Sequence, residues 1–344
     1  MIASAVEEEL VREGAIWLRI RPLKFPLALL KDWEFARHAT RITKKNRDRF
    51  DIIHAFGYSL DLSHHVNSAQ FVHAAWLKSA CHTSRMERNA YGLYHWLYSA
   101  LNVRWEKKAF LQAKKVVACS ALVKRELLDV GVPSDRIHVI LNATDPEEFK
   151  PGFPERAKMG LPEGVVLALF AGDIRTPRKN LETVLYALRL VPNLHLAVVG
   201  ATEGSPYLEL AKRLGVSPRV HFLGFRKDVA HVMRGVDIFV FPSRYEPFGL
   251  VVLEAMASGL AVVSAKCVGA ASCIIPECGI VLPDPEDAPA LGAALERILS
   301  DPEARLRMGK VGREIAKNHT FERMCTQFLD LYRECISNEA PNVA

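Results

Sequence analysis

The sequence predicts an α/β fold built from two doubly wound domains of parallel sheet. The first observation is that short apolar runs alternate with segments of helical spacing from residue 165 onward, which is typical of parallel strands covered by helices on both faces. The second is the length of 344 residues, of which 49% are hydrophobic and 24% are charged, because this is enough chain for two domains of about 150 residues each.

The first half of the chain is the less regular of the two. Its apolar runs predict four buried strands, at 50–57, 68–76, 114–120 and 138–145. The proline-rich stretch 146–154 follows them and predicts a linker. We therefore expect an N-terminal domain at 1–150, a second domain at 151–320, and a C-terminal helix and tail at 321–344, with the helix packing back on the N-terminal domain.

The second half predicts a regular order of strands and helices. The strands are expected at 165–172, 194–200, 220–225, 237–243, 260–265 and 279–283, and the helices between them include 181–191 and 249–259. In such sheets ligands bind at the carboxyl ends of the strands. Those ends are Gly172, Gly200, Phe225, Ser243 and Ala265.

Charge, hydropathy and cysteine content limit the classes of protein. The net charge of +6 falls entirely within residues 1–150, which predicts an anionic partner for that half. No apolar run reaches the roughly 20 residues of a membrane span, and three glutamates stand in the first ten residues, so we expect a cytoplasmic protein. The seven cysteines include no C-x-x-C and indicate reduced, mostly buried thiols, a metal or redox pair at Cys273 and Cys278 being the less favoured alternative.

The segment 243–259 carries the sharpest local signal. Pro247 and Gly249 keep the chain out of helix just after Glu246, so a helix starting near 248–250 offers unpaired N–H groups to an anion such as a diphosphate. Glu254 is the only charge in the apolar run of that helix. Its carboxylate either reaches solvent or accepts hydrogen bonds from a hydroxyl-rich ligand, and the residues alone leave both open.

A basic turn follows the first strand of the second half. Arg175, Arg178 and Lys179 lie within 171–180, where an anionic substrate would draw three cations together. The alternative is a solvated basic turn.

The two segments together form a recognisable pattern. Gly172, five residues and then Arg178-Lys179 are followed by E-P-F-G-L-x-x-L-E-A-M-A-x-G at 246–259, and this resembles the retaining glycosyltransferases of family 4, which have the GT-B fold. The resemblance extends back through 106–151. It implies transfer of a hexose, without metal or other cofactor, from a nucleotide diphosphate sugar, with UDP favoured, to a polysaccharide, lipopolysaccharide or lipid-linked acceptor. No D-x-D occurs in the chain, in keeping with that implication.

The resemblance also assigns roles to individual residues. It implies that Glu254 binds the ribose, that Glu246 lies at the donor sugar, and that Arg178 and Lys179 neutralise the departing diphosphate. His73 matches a histidine that faces the donor sugar from the first domain, so the implied catalytic residues are His73, Glu246 and Lys179. The remaining donor-binding positions are Phe248, Gly249, Leu250, Gly172 and Arg226.

The other histidines carry weaker signals. From the residues alone, a single histidine after an apolar strand, such as His73, is more often structural. His54 ends another apolar run and is the less certain candidate, whereas His64 and His65 are expected at the surface.

The chain departs from the family pattern at three places. The usual opening strand and glycine-rich loop are absent, so we expect a shortened N-terminal domain. Asp173 stands where the family has an arginine, so either Arg175 or Arg178 supplies that charge or the charge is absent. In the loop 267–275 a second glycine and a glutamate are missing, so its sugar contacts cannot be transferred.

The departures keep other functions open. A non-catalytic nucleotide-sugar-binding or membrane-associated subunit is the main alternative, and an isomerase or phosphorylase of the same fold is a weaker one. Basic residues beside Trp96, Trp105 and Phe110, together with 41–50, suit an anionic membrane at the inner face, or equally a solvated helix face with its tryptophans in the core. No nucleic-acid-binding module is recognised, so no nucleic-acid partner is expected.

Overall fold

The computed structural model describes residues 1–4, 6–20 and 27–337 and divides into two compact units. The first unit contains residues 1–119, 123–139 and the chain from 328 onward, and the second contains 120–122 and 140–327. The predicted tail at 338–344 lies outside the described residues.

The first unit contains two small parallel sheets and their helices. The sheet of four strands has the order β3-β4-β5-β6, so strand order follows chain order, and β1 and β2 form a separate pair. The strands are β1 (Ile2–Ala3), β2 (Leu18–Arg19), β3 (His54–Phe56), β4 (His64–Ala69), β5 (Ala113–Ala118) and β6 (Ile137–Val139). The helices are α1 (Glu8–Arg12), α2 (Ala28–Lys45), α3 (His73–Lys78), α4 (Thr83–Met86), α5 (Ala90–Gln112) and α6 (Ala121–Asp129).

An apolar core joins α2 to the first strands of this unit. Buried Ala39 on α2 packs with Ile53 and Ala55, and Ile20 near the chain start closes the cluster. The C-terminal helix α13 (Phe321–Ser337) belongs to this unit from Phe328 onward, and its Glu334 forms an ion pair of 2.6 Å with Lys115. Whether the N-terminal domain is shortened relative to the family stays a prediction.

Two predictions for the first half are wrong. The strand expected at 68–76 is β4 at 64–69, and helix α3 starts at His73. His64 and His65, expected at the surface, are buried in β4, where each imidazole has a backbone group as its partner. His64 Nδ1 lies 2.8 Å from the Leu62 carbonyl oxygen, and His65 Nδ1 accepts from the Ile53 amide at 2.9 Å.

The aromatic residues of α5 separate into two groups. Phe110 is fully buried, and the partly buried Trp105 stacks on Tyr58 with ring centroids 5.0 Å apart. Trp96, nearer the start of the helix, is 49% exposed.

The second unit is a doubly wound domain with a six-stranded parallel sheet. Its strands are β7 (Val166–Ala171), β8 (Leu194–Val199), β9 (Val220–Phe222), β10 (Ile238–Phe241), β11 (Ala261–Ala265) and β12 (Gly279–Leu282). Its helices are α7 (Leu181–Leu190), α8 (Tyr207–Arg213), α9 (Val229–Arg234), α10 (Leu250–Ala257), α11 (Ala288–Ser300) and α12 (Pro302–Ala316). All six strands lie within the predicted runs, and the α/β fold class is confirmed.

The order of these strands locates the ligand-binding edge. The sheet runs β12-β11-β10-β7-β8-β9, so the chain starts in the middle at β7, proceeds to one edge, and returns to the other side at β10. The direction of winding reverses between β7 and β10, which pair through Ala168 and Ile238. A crevice opens at such a reversal beside the carboxyl ends of the strands. The segments after Ala171 and Phe241 therefore lie at the expected binding edge.

The helices and the cysteines bear on membrane spans and on disulfides. Within the part of the chain that the structure describes, every helix is too short or too polar to cross a bilayer. The seven cysteines are free thiols, and all but Cys267 and Cys325 are buried. Burial raises the pKa of the Cys273 thiol to about 11, which disfavours the reactive thiolate at neutral pH.

Candidate active site

A buried asparagine fixes the basic turn after β7. Asn180 has a left-handed backbone, with φ of 65°, and its Oδ1 accepts a 2.8 Å hydrogen bond from Thr183 Oγ1 at the start of α7. Its Nδ2 donates to the carbonyl oxygens of Pro242 at 3.0 Å and Pro285 at 2.7 Å. One side chain thus ties the turn that carries Arg178 to the loops after β10 and β12.

The loop after β10 holds the same turn from the other side. The Arg178 carbonyl accepts from Ser243 Oγ at 3.0 Å and from the Arg244 amide at 2.9 Å. The Arg244 guanidinium binds Glu182 at 3.1 Å and also pairs with Glu286. This network places the Arg178 and Lys179 side chains at the reversal of the sheet.

Two cations and one carboxylate meet at this edge. Lys179 Nζ donates to Glu246 Oε2, and Arg178 Nη1 lies 3.7 Å from the same oxygen. The ammonium also lies 5.3 Å from the ring centroid of Phe241. Burial and the nearby Arg178 charge lower the pKa of Lys179, and Glu246 partly offsets this. Arg178, Lys179 and Glu246, referred to below as the trio, together carry one net positive charge. A bound anion would therefore stabilise this group.

The loop that carries Glu246 requires a glycine. Gly249 has φ of 92°, and a Cβ there would lie 2.9 Å from Val268 Cγ1 and 3.1 Å from Glu246 Cγ. The Gly269 amide donates to the Glu246 carbonyl at 2.9 Å, and a Cβ on Gly269 would lie only 2.0 Å from the Pro247 oxygen. The loops after β10 and β11 are therefore locked together, although the second glycine of the family pattern is absent.

Helix α10 begins directly after this loop without a side-chain cap. Gly249 is the N-cap and Leu250 the first helical residue, while Phe248 beside them is buried. The first amides of a helix have no intrahelical acceptor, and the helix dipole adds positive potential there. The start of α10 and the trio thus form one electropositive edge.

Glu254 lies one turn into α10 in an apolar environment. Burial, and secondarily the charge of Glu148, raises its pKa to about 7. Its carboxylate accepts no hydrogen bond from the residues within 1–4, 6–20 and 27–337. Because a half-buried carboxylate without a partner is unfavourable, its position suits a ligand that donates hydroxyl groups.

This carboxylate gives a prediction for stability. The folded pKa of about 7 lies above the ordinary 4.5, so Glu254 contributes fully to stability below pH 4.5 and destabilises the fold as pH rises through 7. We expect Glu254→Gln to be more stable than the parent at pH of about 8, by roughly 3 kcal/mol, and equal to it near pH 4.5. Urea unfolding of both proteins at both pH values measures these stabilities. The same stability difference between Glu254→Gln and the parent at the two pH values would contradict the prediction.

Of the remaining residues predicted at the donor site, the structure brings only some close to the trio. Gly172 lies beside the trio, because a Cβ there would be 3.3 Å from Lys179 Cγ. Arg175 is bound to Asp173 at 2.9 Å, whereas Arg178 belongs to the trio. Arg226 follows the edge strand β9 and pairs with Asp228 at 2.9 Å, away from the trio at the reversal of the sheet.

His73 belongs to the first unit, where a glutamate from α5 binds it. Glu106 Oε1 lies 2.8 Å from His73 Nδ1, and Glu106 Oε2 accepts from the His73 amide at 2.9 Å. Tyr98 packs against the imidazole with ring centroids 5.6 Å apart and donates to Asp32. Glu106 is 6% exposed, so the pair is well shielded from water.

His54, the weaker candidate, has a hydrogen-bond partner at each ring nitrogen. Its Nε2 lies 2.8 Å from Ser68 Oγ, and its Nδ1 lies 2.6 Å from the Tyr332 hydroxyl. Burial, with a smaller effect of His64, lowers its pKa to about 4, so it stays neutral at physiological pH.

Sequence reasoning missed the residues that hold the site. Asn180 had a readable signal, since an asparagine directly before a helical run is a common N-cap. Glu106 had none, because it lies 33 residues from His73 within a segment chosen for its basic charge.

No metal cluster accompanies these residues. Among residues 1–4, 6–20 and 27–337, no group of three His, Cys, Asp or Glu side chains could hold an ion.

Comparison with known proteins assigns the chain to a family. The family described as Glycosyltransferase Family 4 matches residues 2–148, and Glycosyl transferases group 1 matches residues 153–315. An uncharacterised glycosyltransferase of Methanocaldococcus jannaschii is 27% identical over 337 residues, which cover 92% of this chain and 83% of that protein. A D-inositol 3-phosphate glycosyltransferase of Saccharomonospora viridis is 31% identical over 67% of this chain, which spans 58% of that enzyme.

Solved structures share the fold. Sucrose-phosphate synthase of Thermosynechococcus elongatus has a TM-score of 0.77 at 23% identity and matches 94% of this chain and 84% of its own. The Anabaena protein HepE, in complex with UDP and glucose, has a TM-score of 0.68 at 19% identity over 97% and 91% of the two chains. Because the two family matches together run over nearly the whole chain, it belongs to the glycosyltransferases of GT-B fold, of the group 1 and family 4-like kind.

Proposed function

We propose that this glycosyltransferase moves a hexose, with retention and without a metal ion, from a UDP-sugar to a polysaccharide, lipopolysaccharide or lipid-linked acceptor. One observation carries the proposal. Arg178 and Lys179 meet Glu246 at the reversal of a doubly wound sheet, where α10 begins and where Glu254 has no hydrogen-bond partner among the described residues. The cations suit a diphosphate and the carboxylate suits the hydroxyls of a ribose.

The chemistry follows from where charge develops. The bond between the sugar C1 and the diphosphate oxygen breaks, and its electron pair passes to the diphosphate, where Lys179 and Arg178 meet the growing negative charge. The acceptor hydroxyl oxygen bonds to C1 on the same face, and its proton passes to the departing phosphate oxygen. Retention is supported by the resemblance of residues 172–259 to the retaining family, and independence from metal by the two fixed cations.

Different observations support the proposed donor and the proposed acceptor. HepE was solved with UDP and glucose, which supports UDP-glucose as the first donor to test. The excess of +6 charges over residues 1–150 supports an anionic or membrane-bound acceptor. Within α5 the exposed Trp96, near the start of the helix, suits peripheral contact with an anionic membrane surface.

The configuration of the released sugar tests the mechanism. Incubation with UDP-glucose alone is expected to release α-glucose first, as read by proton NMR before mutarotation, and EDTA is expected to leave the rate unchanged. Release of β-glucose first would contradict retention. Binding of UDP-glucose with no release, and no transfer to any acceptor tried, would favour a non-catalytic nucleotide-sugar-binding subunit.

Replacing His73 tests the first unit. We expect His73→Ala to lower transfer by about 100-fold while the Kd for UDP-glucose changes less than about twofold, because the imidazole positions reacting groups rather than the nucleotide. Paired kinetics and calorimetry measure both quantities. Full activity in the variant would make His73 a purely structural residue.

A further inference from the structure

The contact between His73 and Glu106 differs from an ordinary ion pair. Glu106 reaches from α5 and uses both carboxylate oxygens on one residue: Oε1 on the imidazole Nδ1 at 2.8 Å and Oε2 on the backbone amide at 2.9 Å. Side chain and backbone of His73 are therefore held by the same group. The first residue of α3 cannot turn its ring without breaking this bond.

The contact also determines the tautomer of the imidazole. A backbone N–H can only donate, and an ionised carboxylate can only accept. Nδ1 therefore carries a proton, and the neutral ring keeps its lone pair on Nε2. Within the described part of the chain, Nε2 makes no hydrogen bond, while Phe71 and Tyr98 pack edge-on against the ring at 5.0 and 5.6 Å. Nε2 is thus the one ring nitrogen left for a substrate.

We propose that Glu106 is the positioning residue of His73, holding the imidazole as its Nδ1–H tautomer so that Nε2 accepts a hydrogen bond from a hydroxyl of the sugar substrate. The substrate part of this inference rests on the proposed function, whereas the tautomer does not. Glu106 touches no reacting atom and acts only through His73.

Glutamine at position 106 separates positioning from packing. Glutamine keeps the shape of Glu106 but offers one acceptor and one donor. If its oxygen takes the His73 amide, its NH₂ faces Nδ1, which must then accept, and the ring changes to the Nε2–H tautomer. Glu106→Gln is expected to lower kcat by about 100-fold with the Kd for UDP-glucose within about twofold of the parent.

The chain provides a matched control. Glu34 on α2 is also a buried carboxylate near a histidine, with Oε1 3.8 Å from His38 Nδ1. Glu34→Gln is expected to leave kcat unchanged. A loss in both variants alike would mean that any buried glutamate of the first unit matters, and would overturn a specific role for Glu106.

Nitrogen-15 NMR of histidine-labelled protein tests the tautomer without any substrate. The His73 signals, assigned by their loss in His73→Ala, are expected to show Nδ1–H in the parent chain and Nε2–H in Glu106→Gln. Nε2–H in the parent chain would overturn the inference even if Glu106→Gln failed to fold. Inactive parent protein with the expected tautomer would count against the proposed function and leave the positioning contact standing.

Discussion

Replacing Lys179 with alanine is expected to lower kcat by about 100- to 1000-fold, while the Kd for UDP-glucose rises less than about tenfold. The buried ammonium already has Glu246 as its partner, so it gains little from the ground-state diphosphate. It gains more when the C1–O bond breaks and negative charge grows on the phosphate oxygen. Single-turnover kinetics with UDP-glucose, combined with calorimetry, separates the two effects.

Two further variants show whether the loss of activity comes from the missing charge at this position. Lys179→Met keeps the apolar stem near Phe241 and is expected to lose as much activity as Lys179→Ala, because charge and not packing is removed. Lys212 on α8 is exposed and paired with the exposed Glu209, so Lys212→Ala is expected to leave activity unchanged. Equal losses in kcat and in affinity for Lys179→Ala would mean that this residue only binds the diphosphate.

Replacing Glu254 with alanine is expected to weaken UDP-glucose binding by about 10- to 100-fold, since hydrogen bonds to a carboxylate contribute about 1.5–3 kcal/mol. The effect depends on pH. With a pKa of about 7, the carboxylate is mostly protonated one pH unit below that value and mostly ionised one unit above it. Affinity of the parent chain is therefore expected to rise about tenfold between pH 6 and pH 8.

The nucleotide sugar is the right probe for this effect, because its diphosphate has no proton to lose in that range whereas UDP does. Glu254→Gln is expected to bind weakly at every pH and to show no rise. Glu296→Gln on the exposed side of α11 is the control and is expected to behave as the parent chain. An unchanged pH dependence in Glu254→Gln would remove Glu254 from the nucleotide site.

Much of the second unit follows from local sequence pattern. Each strand is an apolar run, most are buried on both faces, and a glycine or proline lies near at least one end of each, so the six strands and the binding edge could be predicted without any partner. The basic turn and the 246–259 segment follow two of those strands. The parallel topology alone is enough to bring these two segments to the same edge of the sheet, where Lys179 and Glu246 are in contact.

The first unit shows where this reasoning stops. His64 and His65 are polar residues in a fully buried strand, stabilised by partners such as the Leu62 carbonyl that no periodicity reveals. The apolar run ending in His73 crosses from strand to helix because residues 70–72 make the turn between them. Glu106 is visible as a functional residue only once α5 and α3 are packed together.

The most direct test is calorimetric titration of the purified chain with UDP, GDP and ADP, followed by donor hydrolysis on the same sample. Tightest binding of UDP, lost in Glu254→Ala, together with slow release of glucose from UDP-glucose, is the predicted result. No measurable binding of any of the three nucleotides would contradict a donor site at Arg178, Lys179 and Glu254.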